Sequence, residues 1–441
     1  MFGFKYRQVA CSVLIATALS AVSSFAVTSQ FRGVNWADKR DNFVSGVLVL
    51  SGMSLSDNYQ SASVVADRVI GQFQELFGTN SVRIPVNEPT ILTFWDTYTG
   101  VIDMGLSKGR VVMGYWGPAQ PSGPKNMNDW WNMWAKIVEK YGDHPNAYFE
   151  IFNEPHMYSK TELRDLYAQW LSKFPDVPRD HILLDGSGLA WNVPDIADDP
   201  RFEGCLFAVH EYTFWNMSIT TEQGWKNSFK GKVGKYADRT VCTEWGGAMG
   251  PGEKNGVHYD YMDYNQPPNN YFTAYIRGMS DQLREWEMGS FYWPGFRDGD
   301  WYSMTKRSGE GTNIKLEVVN QSGLDRMHMA WADTIAVVPV DTIPADTAMA
   351  DTNTIAPDSV VAQDSNAIAD SSLSIAGNFR LQHGSQESFK VFSMTGKFLG
   401  NIDLRDAMSA REMAQKLHQS GFARGMYLVR GSGATLRVKV R

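Results

Sequence analysis

Two glutamates stand apart from the other charged residues of this 441-residue chain because each interrupts or ends an apolar run. Glu154 closes "FEIFNE" and Glu244 sits in "TVCTEWG", and a carboxylate is costly to bury unless it is paired or put to use. Paired carboxyl groups among aromatics, with no metal-ligand cluster, suit reaction at an acetal carbon. The transition state there is cationic, so an anionic carboxylate stabilises it from one side while a protonated one donates to the leaving oxygen. The two groups must differ in pKa, and proximity arranges this, because like charges about 5 Å apart do not both ionise easily. Retention of configuration needs that short separation, whereas inversion leaves room for a water at about 6.5–9.5 Å.

Such a pair needs a frame that brings distant residues together. Eight short β-rich runs recur: "FRGVNW", "SVRIPV", "RVVMGYW", "AYFEIF", "HILLDG", "LFAVHEY", "TVCTEWG" and "SFYWPGF". Between them lie amphipathic stretches of good helix formers, for example residues 61–78, 127–142, 159–174 and 271–289. The first two end in a glycine suited to a left-handed cap, and the third opens with a Ser-x-x-Glu capping-box pattern. Alternating strands and helices imply a parallel sheet, and eight repeats over about 300 residues predict an α/β fold, a closed (β/α)₈ TIM barrel. Such barrels place their chemistry at the C-terminal strand ends. Reading those ends in order gives Trp36, Arg83, Tyr115 with Trp116, Asn153 with Glu154, His210 with Tyr212, Glu244, and Trp293. Strands four and seven lie across the mouth from one another, so Glu154 and Glu244 are expected to flank a substrate.

"FEIFNEP", then "HEY", then "TEWG" resemble glycoside hydrolase family 5, over roughly residues 31–331. The resemblance implies a retaining mechanism with Glu154 as general acid/base and Glu244 as nucleophile. It also implies that Asn153 bonds the sugar 2-hydroxyl, that Tyr212 beside His210 orients the nucleophile, and that Arg83 keeps it ionised. Trp293 then corresponds to the aromatic under the sugar ahead of the cleaved bond. Many members carry a histidine at the end of strand three, where this chain has "MGYWGP"; Tyr115 or Trp116 is expected to make contact there instead.

A second Asn-Glu-Pro, at residues 87–89, reads as a helix start in which Glu88 has no catalytic part. Trp130, Trp131 and Trp134 fall at helical spacing and read as packing, while Trp36, Trp191, Trp215 and Trp301 lie in or near strand-end loops where they are placed to stack on sugar rings. A metal hydrolase would need clustered ligands, and His210 is the one histidine that ends a strand; no metal and no cofactor is expected. A carbohydrate-binding barrel without activity would be expected to have lost one carboxylate, and both are present.

The net charge is −7 and no basic cluster is interleaved with aromatics, which argues against nucleic acid as a partner and for a neutral ligand such as a polysaccharide or oligosaccharide. Residues 1–26 have Lys5 and Arg7 ahead of an apolar segment and a small-x-small ending, a cleaved secretory signal that predicts a secreted or cell-surface protein. Of three cysteines, Cys205 and Cys242 remain beyond it, either as a disulfide or as two buried thiols. The barrel is expected over residues 27–331. Residues 332–374 hold seven Asp and no Lys or Arg and read as a flexible acidic linker. Residues 375–441 carry eleven Lys/Arg against four Asp/Glu in strand-like runs interrupted by one helical patch. This small basic β-rich module resembles the sorting or anchoring domains of type IX-like secretion, which implies contact with secretion machinery or the cell surface. The protein is expected to act as a monomer, most simply as an endo-β-1,4-glucanase-like enzyme, with mannan, xylan or another β-glycan as alternatives.

Overall fold

The computed structural model describes residues 28–40, 44–117, 123–214 and 216–331, and further on 387–393, 398–404, 416–422, 425–431 and 434–440. The expected signal (1–26), the linker (332–374) and Trp215 lie outside the described residues. Contacts divide the chain into two units, Met1–Asp333 and Thr334–Arg441.

All eight apolar runs form strands in the first unit. They are β1 (Arg32–Trp36), β2 (Ser81–Val86), β3 (Arg110–Tyr115), β4 (Ala147–Glu150), β5 (Ile182–Asp185), β6 (Leu206–Glu211), β7 (Thr240–Trp245) and, after a short antiparallel hairpin of β8 (Gly252–Lys254) and β9 (Val257–Tyr259), β10 (Ser290–Phe296). Each pairs in parallel with the next, and β10 pairs back onto β1, which closes the sheet into an eight-stranded barrel. A further hairpin, β11 (Thr305–Ser308) and β12 (Lys315–Val318), extends the sheet from the end of β10.

The four expected helices form, over Tyr59–Phe77, Met127–Tyr141, Lys160–Lys173 and Tyr271–Glu285. Asn58 caps the first and Gly78 ends it at φ 69°, the left-handed cap read from sequence. Gly142, by contrast, ends its helix in the right-handed region at φ −62°. Ser159 and Glu162 form the expected capping box. The second Asn-Glu-Pro does start a helix: Asn87 accepts from the Thr90 amide, and Pro89 lies in the first turn. Among the described residues no helix is long and apolar enough to cross a membrane.

Side chains alternate across each strand, so the barrel has an inner and an outer apolar layer. Phe31, Val112, Tyr148, Leu183, Leu206, Ala208, Val241 and Phe291 form the inner cluster. A larger cluster fills the layer between strands and helices and includes the packing tryptophans Trp130 and Trp134. Two residues further along the strands, the inward positions turn polar: Asn35, Arg83, Glu150, Asp185, His210 and Thr243 are all buried. This polar layer lies beneath the mouth of the barrel.

In the second unit, β13 (Glu387–Ser393), β14 (Phe398–Leu404), β15 (Gly425–Gly431) and β16 (Ala434–Val440) form an antiparallel sheet in the order β14-β13-β15-β16. Of the expected helical patch, residues 416–419 are described, and they are helical.

Candidate active site

Arg83 is the hub of the polar layer. Its guanidinium, fully buried, bonds Glu150, donates to Glu244 Oε1 (2.6 Å), to Asn35 Oδ1 (2.8 Å) and to Asn153 Oδ1 (2.6 Å). A lysine offers no such planar fork, so four partners from the ends of three strands, β1, β4 and β7, are fixed by one side chain. Gly114 on β3 makes the room: a Cβ there would lie 2.7 Å from Glu150 Oε2 and 3.2 Å from Arg83 Nη2.

Glu244 reaches this layer through an irregularity in β7. Val209 is opposite Cys242 but His210 is opposite Glu244, and the β10 register shifts at the same place. The extra residue lets both Thr243 and Glu244 contact His210 from one strand, the re-aiming that bulges perform beside functional sites. Glu244 accepts from Tyr212 Oη at Oε2 (2.8 Å) as well as from Arg83 at Oε1, and His210 Nδ1 lies 3.7 Å from Oε2. Burial raises the Glu244 carboxyl above the usual range; His210 and Arg83 pull it back, and Glu154 adds to the rise.

Glu154 follows β4 and meets His210 Nδ1 through Oε1 at 2.9 Å. His210 Nε2 meets Thr243 Oγ1 at 3.0 Å, so both ring nitrogens are engaged. Burial alone would lower the His210 pKa, but the surrounding carboxylates, Glu244 first, outweigh it and raise it to about 10. Burial likewise opposes ionisation of Glu150, yet Arg83 and His210 hold it at about 2.

One oxygen of Glu154, one of Glu244 and a ring nitrogen of His210 lie within 4.8 Å of one another, so the two glutamates come together at the C-terminal ends of the strands. A second such group joins Glu150, Asp185 and His210. Both sets have donor types that hold metals. Here, however, the fixed Arg83 cation is bonded to Glu150 and Glu244 and both His210 nitrogens are taken, an arrangement that suits a hydrogen-bonded network better than a divalent ion.

The remaining expected residues divide. Asn153 commits Oδ1 to Arg83, which leaves its amide hydrogens to donate to a ligand. Trp293 and Trp116 pack together (centroids 5.3 Å apart) in a small cluster with Tyr212 at the barrel mouth. Two expectations need correction. Trp36 is fully buried in the outer core, its indole donating to the Ser51 carbonyl, and Tyr115 is fully buried there too, its hydroxyl donating to Glu88 Oε1. Strand alternation is the reason: Asn35 and Gly114 face the barrel interior, so the next residues, Trp36 and Tyr115, face the helices. Trp191 carries Lys232 over its ring at 4.6 Å, and Trp301 packs across Gly252 of the β8–β9 hairpin. Cys205 and Cys242 are free, buried thiols.

Sequence reasoning missed Asn35, Glu150, Asp185 and Thr243. The signal was present, since each is a polar residue inside or at the end of an apolar strand run, but the reading of strand ends passed over strand five and the inner positions.

Solved structures with similar coordinates include Cel5A (EG2) from Hypocrea jecorina (Trichoderma reesei), at 16% identity over 67% of this chain and 97% of that one, TM-score 0.44. The catalytic domain of Thermobifida fusca endoglucanase Cel5A (E5), in complex with cellotetraose, matches at 16% identity over 68% and 92%, TM-score 0.43. A Cytophaga hutchinsonii structure matches at 14% identity over 69% and 90%, TM-score 0.46. A search of curated proteins finds no match. The sequence profile described as "Cellulase (glycosyl hydrolase family 5)" matches residues 45–288, more than half of the chain and a span holding both glutamates, Arg83 and His210. With that match laid over a closed barrel whose mouth holds two converging carboxyl groups, the chain belongs to glycosyl hydrolase family 5 and is a glycoside hydrolase.

Proposed function

We propose that the protein is a secreted, retaining β-glycosidase that cuts a plant-type polysaccharide, endo-β-1,4-glucanase-like in action, by double displacement. The observation that carries this reading is the approach of Glu154 and Glu244 to within 4.8 Å through one oxygen each. That spacing suits retention, for which carboxyl groups lie about 5–5.5 Å apart, better than inversion, for which they lie about 6.5–9.5 Å apart.

In the first step a Glu244 oxygen attacks the anomeric carbon while Glu154 gives its proton to the departing glycosidic oxygen. The C–O bond to the leaving sugar breaks and a glycosyl ester forms on Glu244. Arg83 and Tyr212 stabilise the ionised Glu244 before attack and recover it afterwards. In the second step Glu154 takes a proton from water, the water oxygen attacks the same carbon, and the ester breaks. Asn153 has its amide free to hold the sugar 2-hydroxyl, and Trp293 with Trp116 supplies an apolar wall. The signal at residues 1–26 takes the chain out of the cell, the 375–441 module serves sorting or anchoring, and the barrel works as a monomer.

Proton NMR of the first product anomer tests the stereochemistry: the β-anomer is expected first, and the α-anomer would overturn retention. Glu244→Gln is expected to lower kcat by about 10⁴-fold or more, the order lost with covalent nucleophiles, and Glu154→Gln by about 10²–10⁴-fold on unactivated substrate. Binding of oligosaccharide to both variants by calorimetry, with no hydrolysis by the parent protein, would instead mark a binding barrel. A polysaccharide panel with sized products distinguishes glucan from mannan or xylan.

A further inference from the structure

Glu154 sits in a backbone conformation that two local rules oppose. Its φ is 52°, in the left-handed region that a side chain with a Cβ seldom occupies, and it precedes Pro155, which further restricts the residue before it. Such a conformation persists only where its surroundings over-determine it. One restraint is the His156 amide, which donates to the Glu154 carbonyl at 2.7 Å. The other comes from strand five. Pairing of β4 with β5 ends at Glu150, beyond which Ile151 still donates to the Leu183 carbonyl. Asn153 then turns towards β3, donating to the Tyr115 carbonyl. The next amide, that of Glu154, is taken by a side chain: Asp185 Oδ2 accepts it at 2.9 Å.

Asp185 is fully buried, and its own carbonyl accepts from the Tyr167 hydroxyl at 3.1 Å, so the residue that receives the Glu154 amide is itself fixed. Its Oδ1 has no hydrogen-bond partner among the described residues, and neither has Oε1 of Glu150, one oxygen of which lies within 4.8 Å of an Asp185 oxygen. We infer that Asp185 is a positioning residue for the acid/base step: by accepting the Glu154 amide it holds the strained turn that aims the Glu154 carboxyl at His210 and the cleft. This rests on the assignment of Glu154 as acid/base. Burial pushes the Asp185 carboxyl well above the usual range, with Glu150 adding to the rise, and an asparagine there keeps its shape and an oxygen that can accept the amide.

The test separates positioning from general support of the fold. From a 2,4-dinitrophenyl β-glycoside the dinitrophenolate departs without protonation, whereas the sugar leaving group of the polysaccharide needs it, so damage to the acid step shows only on the second. Asp185→Ala is expected to lower kcat/KM on the polysaccharide chosen by the panel by about 10²-fold, the loss that misplacing a catalytic group by about 1 Å brings. On the dinitrophenyl glycoside of the same sugar the loss is expected to stay under about threefold, since general acid catalysis is the part impaired. Asp185→Asn, which keeps an oxygen acceptor for the amide, is expected to stay within about threefold on both substrates. Equal losses on the two substrates, no loss in Asp185→Ala, or an asparagine variant impaired tenfold or more would overturn the inference. If the alanine variant does not accumulate as folded protein by circular dichroism, Asp185→Leu, which has a similar branched shape but cannot accept the amide, decides by the criteria set for alanine. Glu154→Ala serves as the reference: should its own loss fail to depend on the leaving group, it is the acid/base assignment that falls and not the role of Asp185.

Discussion

Glu244 is held as an anion by a guanidinium and a phenol while burial works against that charge. The pH dependence follows from this balance. In the proposed role of nucleophile Glu244 must be ionised, and it is raised above the usual carboxylate range, so the acid limb of kcat/KM should lie above that of an ordinary glutamate. Tyr212 donates to the anion and therefore lowers this pKa; removing the hydroxyl in Tyr212→Phe should move the acid limb further up. It should also reduce kcat/KM by about 10–100-fold, since hydrogen bonds to charged groups contribute about 1.5–3 kcal/mol. A pH–rate profile of the two proteins on one soluble substrate checks both the direction and the size. A profile that moves down, or does not move, would mean that Tyr212 does not act through Glu244.

At the scale of elements, a strand's period of two decides which residues reach the site, and a single irregularity modifies it. Gly114 illustrates the constraint. Its Cβ-free face is where Arg83 and Glu150 meet, so Gly114→Ala should displace the pair, with a loss of about 1–3 kcal/mol as overpacked interiors show. Thermal melting and kcat/KM should fall together, because the same guanidinium holds Glu244 and Asn153. The period also explains what was legible in the sequence. The eight strands read clearly because each is a short apolar run between helical patterns, and Glu154, Glu244, Arg83, Asn153, His210 and Tyr212 are brought together by their strand ends. Trp36 and Tyr115 read as site residues because they also stand at strand ends, but which face an end residue takes depends on register, and a run of five or six mostly apolar residues buried on both faces conceals it. The β7 irregularity, and the two hairpins of three- and four-residue strands, leave no periodic signal at all.

At the scale of the whole molecule, the barrel unit finishes on a helix and a tryptophan that pack at the start of its last parallel strand. Trp331 is buried and donates to Ser290 Oγ at 3.0 Å, at the start of β10, and the helix Gln321–Ala330 before it buries Leu324 and Met327. A chain ended after Asp333 should therefore keep its melting temperature and its kcat/KM within about twofold. One ended at Asn320 loses three buried apolar side chains, Leu324, Met327 and Trp331, each contributing about 1.5–3 kcal/mol, a sum comparable with the stability of an average domain. It should fail to melt cooperatively in a scanning calorimeter. The two thiols left in the barrel carry one more consequence. Cys205 and Cys242 are both wholly enclosed, and burial suppresses their ionisation, so neither presents the thiolate that exchange reactions need. Oxidants and glutathione in the surroundings thus find neither of these two thiols within reach while the barrel stays shut.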